Sequence, residues 1–415
     1  MRAAPDAPAE LVVRELSDDE LETVFDLDEI VFHGKLDQDQ RARARRYLEP
    51  AYKIGSFDGE RLVGVLAALE QTMTVAGRDV ACWGLTWVGV LPTHRRRGIL
   101  TAMIGRLWAD ALAAGRPLVS LWVAEAAIYG RFGCGPAARA LATRITTATP
   151  LPLRIAPAEA PLTLLSVDQA LPLLGPFHER VVRPRRGGLL VRDERLWRDQ
   201  VLPAKDEDDD ELGPPRVVVL GPLDAPLGYV AYRVKPGEDG PGTVALIELE
   251  AVDPAAEAAL WRYLAAIDLT TAIDCWSRPL DDPLATMLVD GDRLTVRRRF
   301  DTLWLRLVDL PAALAERRVA AAVELVVEVE DRTLPANDGR WRLRAAAGET
   351  LRAERSDDPA DLALAARDLA SLYLGGIAAG ELQRAGLVDE RTPGAVAALD
   401  AALRVERAPL AADPF

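Results

Sequence analysis

Residues Leu91–Leu100 read LPTHRRRGIL. Three consecutive arginines, Arg95, Arg96 and Arg97, stand directly before Gly98 and an apolar run, in a chain of 415 residues whose formal net charge is −14. The run, GILTAMIGRLWADALAAG, puts Ile99, Leu100, Met103, Ile104, Leu107, Trp108, Ala111 and Leu112 at the i, i+1, i+4, i+5 rhythm of an amphipathic helix, with Gly115 as its stop. The densest positive cluster therefore falls where a helix begins. A helix N-terminus carries about half a unit of positive charge and the unpaired N–H groups of its first turn, so it is a ready anion site. Arginines strengthen such a site, and a glycine lets the backbone approach the anion closely. The chemistry suits a pyrophosphate. The loop is neither a GxxxxGK[ST] P-loop nor a GxGxxG turn. Three arginines alone also fit a solvated basic loop, and the chain holds its own control. TVRRRFDTLW contains three arginines too, but no glycine follows, no helix starts, and its alternation is that of a strand. That second cluster reads as surface or domain contact.

Around the opening stretch, RLVGVLAALEQTMTV and DVACWGLTWVGV read as strands, the first after an Asp58-Gly59 turn, and PLVSLWVA reads as another. A Pro-rich break, TATPLPLRIAPAEAPL, closes this first region. The second region again mixes helices and strands and carries an acidic run, KDEDDDELGPP, which reads as a solvated loop. Within it GTVALIELEAVDPAAEAALWRYLAAI is a strand-turn-helix unit, like WGLTWVGVLPTHRRRGILTAMIGRLW, so the two regions read as divergent copies of one fold. In the second copy Asp253 and Pro254 take the N-cap and N1 positions, and a carboxylate occupies the helix start. In the first copy that start is free and ringed with arginine. A third region opens with TLWLRLVDLPAALAERR and passes through the strands AVELVVEVED and RWRLRA. DPADLALAARDLASLYLGG and TPGAVAALDAALRV follow, both read as helical. The expected boundaries are 1–150, 151–300 and 301–415.

With 49% hydrophobic residues, each region can bury a core. The acidic balance argues against a duplex nucleic-acid partner and favours cationic ligands. Cys82, Cys134 and Cys275 form no CxxC pair and read as reduced thiols. His33, His94 and His178 are scattered without an HExxH, so no metal is expected. MRAAPDAPAELVV lacks the apolar core of a signal peptide. No apolar run reaches the ~18 residues of a membrane span. A soluble cytoplasmic protein with no membrane partner is the expectation.

R-x-x-G-x-[GA] after a strand is the acetyl-coenzyme A pyrophosphate loop of the GCN5-related N-acetyltransferases (GNAT). Arg95-Arg96-Arg97-Gly98-Ile99-Leu100 resembles it in all but Leu100, which stands where a small residue is usual. VGVLPTHRRRGIL and WVAEAAIYGRFGCGPA resemble one branch in particular, the enhanced intracellular survival (Eis) acetyltransferases of actinobacteria, which tolerate a large residue there. LWLRLVDLPAALAERR, RDLASLYLGG and a final Phe follow in the same order as in that branch.

The resemblance implies an α+β fold. It comprises two tandem GNAT-like domains with mixed, splayed sheets, the second without a cofactor site, and a C-terminal domain similar to sterol carrier proteins. It implies a homohexamer, and acetyl transfer from acetyl-coenzyme A to primary amines of polycationic acceptors, aminoglycosides above all, with lysine side chains and polyamines as further candidates. Val88, Gly89 and Val90 match its cofactor-binding strand end. Arg96, Arg97, Gly98, Ile99, Leu100 and Thr101 match its pyrophosphate loop, with Arg95 close by. Ala124 and Glu125 match the contact on the next strand, while Trp87 and Trp122 read as core. Tyr129 would donate a proton to the departing thiolate. A phenol (reference pKa about 10) is neutral at pH 7, and a thiol titrates at about 8.5. The carboxylate of Phe415 would accept the proton of the amine, although its reference pKa of about 3.3–3.7 makes it a weak base unless burial raises it. Pro414 departs from relatives that can carry an acid there, and Asp413 is the candidate substitute. Asp26, Glu29 and Asp413, with Asp28 and Asp37 beside them, are the candidates for gripping a cationic acceptor; each helix acid also fits a solvated charge. The competing reading is a catalytically inactive GNAT-like and sterol-carrier-like ligand-binding protein. Intact Arg96, Gly98, Tyr129 and Phe415 argue against it.

Overall fold

The computed structural model describes residues 11–207, 209–238, 240–413 and 415. Twelve strands make one sheet: β1 Leu11–Glu15, β2 Tyr52–Asp58, β3 Arg61–Val75, β4 Arg78–Val90, β5 Leu118–Leu121, β6 Gly135–Thr146, β7 Leu162–Leu165, β8 Arg216–Leu220, β9 Gly228–Lys235, β10 Gly242–Ala251, β11 Thr270–Pro279 and β12 Leu294–Leu307. Their order is β1-β2-β3-β4-β5-β12-β6-β11-β10-β9-β8-β7. The sheet has two halves of like plan. β1 to β4 are antiparallel and β5 joins β4 in parallel. β7 to β10 are antiparallel and β11 joins β10 in parallel. A parallel neighbour needs a crossover, usually a helix. In the first half it is the predicted one, and in the second it is the helix Pro254–Ala265.

The helices of the first half are α1 Leu21–Phe32, α2 Gln38–Leu48, α3 Ile99–Ala113 and α4 Ala126–Tyr129. α3 buries Ile99, Met103, Ile104, Leu107, Trp108 and Ala111 on the stripe that the periodicity predicts. Leu112, the last residue of that pattern, stays 43% exposed.

The boundary expected at 300/301 falls inside β12. Its residues Leu294–Leu305 pair with β6, and Trp304–Leu307 pair with β5, so the strand fills the lane between them. Arg297, Arg298 and Arg299 on its first half are exposed, as the surface reading expects, while Thr302–Leu307 are buried. One continuous strand, with register shifts along β6, crosses from solvent into core, and that change of environment looks like a domain junction in sequence.

The third region forms a five-stranded sheet of β13 Val323–Glu330, β14 Gly339–Ala345, β15 Arg352–Arg355, β16 Leu362–Ala365 and β17 Val388–Glu390, ordered β15-β14-β13-β16-β17. DLALAARDLASLYLGG is not all helix. Leu362–Ala365 alternates buried and half-buried and pairs in parallel with β13, and the helix begins only at Ala366. The core of this region is continuous with Met73, Val75, Val80 and Cys82 of β3 and β4. Arg306 of β12, fully buried, ties the two regions by an ion pair with Asp331 (2.5 Å). Among the described residues no helix is long and apolar enough to cross a membrane.

Candidate functional site

β4 pairs with β5 only from Cys82↔Leu118 to Leu85↔Leu121. The sequence predicts that β5 continues through Ala124, but it ends at Leu121 while β4 runs on to Val90, and the two diverge. On the other edge of β4, Thr86 opposes Ala67 and Gly89 opposes Val65, so β4 carries one extra residue. Trp87 holds that bulge at φ +52°, a left-handed conformation that costs a non-glycine residue about 1 kcal/mol or more. Leu91 donates its N–H to Val63 O (2.9 Å). Strand alternation then turns the polar backbone groups of Val88 and Val90 toward the gap that β5 leaves. Ala124 and Glu125, both exposed, border the gap beyond the end of β5, and Glu125 stands just before α4.

At the end of β4 lies the arginine loop. Arg96 (φ +62°) and Gly98 (φ +80°) are both left-handed, the kind of backbone turn with which N–H groups form anion-binding concavities. The space where a Cβ of Gly98 would point is open, so it is φ, not crowding, that calls for glycine here. Gly98 is the N-cap of α3 and offers no side chain to cap it; among the described residues nothing else takes up the N–H groups of Ile99, Leu100 and Thr101. Arg97 pairs with Asp58 (3.2 Å), which also meets His94 Nε2 (3.2 Å). Arg95 and Arg96 are exposed and have no ion-pair partner among the described residues. In a chain this acidic, two arginines with no ion-pair partner among the described residues, beside an uncapped helix, make a local positive site whose nearest paired acid, Asp58, is taken by Arg97 and His94.

Tyr129 ends α4, half-buried. Burial foremost, then Cys134 and Glu125, push its phenol up to about 12, so it stays protonated at neutral pH and is suited to donating. Phe415 stands between two chambers of a cleft, about 360 and about 400 Å³, and touches both. The first chamber meets the β4 bulge at Thr86 and Trp87, and α2 at Ala44 and Tyr47. Trp122, beyond β5, packs against the core as the sequence reading expects and also pins the tail: its Nε1 donates to Asp413 O (3.0 Å) while its ring stacks on Trp276 at 5.7 Å.

The acidic candidates fare differently. Asp413 does not face an acceptor. It is 2% exposed, and its Oδ1 accepts from Arg192 Nε at 2.8 Å. Asp26 and Glu29 share one face of α1 with Glu22, and all three grip Arg41 of α2 (3.0, 2.7 and 2.7 Å). Their charge is spent on helix pairing. Asp37 caps α2 through Gln40 N (2.8 Å). Asp28 is half-buried, and burial, with Glu29 next to it, raises its carboxyl to about 6. Pro414 lies outside the described residues. The acids that do line the first chamber are Asp199, Asp206 and Glu207, from the second half; Arg43 of the same chamber pairs with Glu207, Arg46 with Asp199 (3.0 Å), and Arg233 stands 3.8 Å from Asp206. Two of the acids belong to the acidic run that reads as a plain solvated loop; its composition was the available signal, but the fold alone brings it to the cleft.

The second half repeats the plan with its gap filled. β10 leaves β11 after Leu246↔Cys275 and carries its own extra residue, Ile247. Arg278 reaches from β11 to Leu249 O (3.5 Å), and Arg185 donates to Ala251 O and Val252 O (2.6 and 2.9 Å). Asp253 Oδ1 caps the following helix at Ala256 N (2.8 Å), with Pro254 at its first position.

Comparison with known proteins agrees with this division. Residues 12–137 match an acetyltransferase (GNAT) domain family, 188–307 a second acetyltransferase (GNAT) domain family, and 310–412 a sterol carrier protein domain family. The chain is similar to a Streptomyces avermitilis protein known only as an uncharacterized N-acetyltransferase, 41% identical over 83% of this chain and 84% of that one. It is similar to the N-acetyltransferase Eis of Mycobacterium tuberculosis, 33% identical over 84% of each chain. Among solved structures, Eis1 from Mycobacterium abscessus superposes with a TM-score of 0.84 at 32% identity, over 98% of this chain and 100% of that one.

Proposed function

The chain belongs to the Eis-type GNAT N-acetyltransferases, and from that premise we propose that it moves an acetyl group from acetyl-coenzyme A to primary amines of polycationic acceptors of the aminoglycoside type. The observation that carries this reading is the uncapped start of α3, flanked by the unpaired Arg95 and Arg96, at the mouth of the β4–β5 gap. A diphosphate fits the first, and an extended thioester arm hydrogen-bonding to Val88 and Val90 fits the second. Arg95 to Thr101 hold the diphosphate; Val88, Gly89, Val90, Ala124 and Glu125 border the arm.

Of the two protons that the acceptor ammonium sheds, the carboxylate of Phe415 takes the first and frees the nitrogen lone pair. The C–N bond forms and the C–S bond breaks. Tyr129 donates its O–H proton to the leaving sulfur and recovers one as the new amide loses its second. Asp199, Asp206 and Glu207 of the first chamber suit a cationic acceptor that takes over from the arginines they now face. The same reading makes the protein a cytoplasmic homohexamer, and the three buried, unpaired cysteines suit a reducing compartment.

The test is release of free thiol from acetyl-coenzyme A with a panel of aminoglycosides, polyamines and lysine peptides. Turnover is expected with the first group above the others. Thermal stabilisation by acetyl-coenzyme A without turnover on any amine would leave the ligand-binding reading in its place.

A further inference from the structure

A network of buried charge surrounds Asp413. Arg192, whose side chain is 1% exposed, is held by three partners. Its Nη1 and Nη2 fork onto Glu248 Oε2 and Oε1 (3.0 and 2.7 Å). Its Nε and Nη2 both meet Asp413 Oδ1 (2.8 and 2.7 Å). Its guanidinium sits 4.4 Å from the centroid of Trp197. Tyr229 completes the cluster by donating to Glu248 Oε2 (2.6 Å). Arginine against two carboxylates, with an aromatic face behind it, is a rigid fork and not a loose surface pair.

The network joins three parts of the molecule at one point. Asp413 stands two residues before Phe415. Glu248 stands just past the place where β10 leaves β11, as Trp87 and Val88 stand where β4 leaves β5. The segment carrying Arg192 is stitched to β3 beyond the end of β2: Thr74 N donates to Leu189 O (2.8 Å), and Gly188 and Val191 donate back to Thr74 O and Thr72 O (2.9 Å each). The tail lies along the same segment. Leu410 N donates to Gly187 O (3.0 Å), and Arg186 Nη1 to Ala408 O (2.8 Å). Gly188 must be glycine on two counts, its φ of +93° and Leu410 O only 2.8 Å from where a Cβ would lie.

We propose that Arg192, oriented by Glu248 and closed on Asp413, is the positioning residue that sets the carboxyl group of Phe415 beside the β4 bulge. The strand end of the second half, which no longer opens onto an anion site, serves as the receptor for the tail. This rests on the reading that the Phe415 carboxylate accepts the amine proton, and the experiment separates the two. Asp413 is anchored through its Oδ1 by Arg192 and through its carbonyl by Trp122, two positions before Phe415, and misplacement of a reacting group by an ångström is enough to lower a rate roughly 100-fold.

Asp413→Asn keeps the shape and removes the charge. It is expected to lower kcat about 10- to 100-fold, with the Kd for acetyl-coenzyme A little changed, and formate added to the cleft, standing in for the displaced Phe415 carboxylate, should restore part of the rate. Arg192→Lys keeps the charge but cannot fork, and is expected to fall between wild type and Asp413→Asn. A chain extended past Phe415 is the second arm. If the extended chain is fully active, the proton-acceptor reading fails, and with it this inference. If extension abolishes turnover while Asp413→Asn and Arg192→Lys match wild type, the positioning role alone is overturned. A loss in Asp413→Asn that formate does not restore and that weakens acetyl-coenzyme A binding equally also overturns it, because the network would then be holding the fold and not the tail.

Discussion

Where β4 parts from β5, the gap opens onto a helix whose start is uncapped and flanked by exposed arginines. Where β10 parts from β11, the gap is crossed by Arg278, and the helix start beyond it is closed by Asp253. The strands, the bulges and the crossover helices correspond. What differs is a handful of side chains at one point of the plan. A splayed sheet thus supplies only the opportunity for an anion site. Whether the site exists depends on which charges stand at the helix start and whether the protein's own carboxylates and guanidinium groups already satisfy them.

The largest effect is expected on the chemistry of the open half. Tyr129→Phe should lower kcat about 100-fold with little change in acetyl-coenzyme A affinity, measured by pre-steady-state thiol release beside calorimetry. An unchanged rate would remove the donor and leave the first half open but unemployed. Next is the anion grip. Arg96→Ala should weaken acetyl-coenzyme A about tenfold or more, a charge-assisted contact being worth roughly 1.5–3 kcal/mol. Arg97→Ala should cost less, because Asp58 already shares that charge. Equal losses would mean that the pairing seen here does not survive binding. Asp253→Ala turns to the closed half. It should cost about 1 kcal/mol of stability in urea melts, the worth of a helix cap, and calorimetry should still count one acetyl-coenzyme A per chain, since Arg185 and Arg278 remain. A second binding event would break the comparison outright.

The smallest effect concerns Glu250, on the closed strand. Burial first, then Glu248, raise its carboxyl to about 7 against the pull of Arg278 and Arg186. A raised acid favours the folded state below its unfolded pKa and loses that contribution as pH climbs through the folded value. Wild type should therefore lose stability between about pH 4.5 and 7 from this group. Glu250→Gln should flatten that window, by about 1 kcal/mol or less because the half-buried carboxylate still draws on solvent, and stability curves of identical slope would show the strand end to be wetter than it looks.

Much of this was legible from residues alone. The rhythm from Ile99 to Ala111 marks α3, the Asp253-Pro254 pair marks a cap, and both took those places because they depend on neighbours within one turn. The misreadings share one cause, which is partners far away in sequence. LALA in β16 is a helix by composition and a strand by the lane that β13 offers it. Asp413 reads as free beside Phe415 until Arg192, more than two hundred residues earlier, closes on it. Asp26 and Glu29 look like an acidic lip until Arg41 is placed across from them. Conversely the run around Asp206 and Glu207 looks like solvent-facing loop until the second half is docked against α2.

β12 has a practical corollary. Its buried stretch Thr302–Leu307 is hydrogen-bonded on one side to β5 and on the other to β6, both of which come from far earlier in the chain. Residues 1–150 excised by themselves would miss a rod from the middle of their sheet and bare two raw edges, the kind that pair with strangers and precipitate. Any trimmed version meant to keep the β4–β5 opening in shape has to run at least through Leu307, and so must take the sealed copy along as ballast.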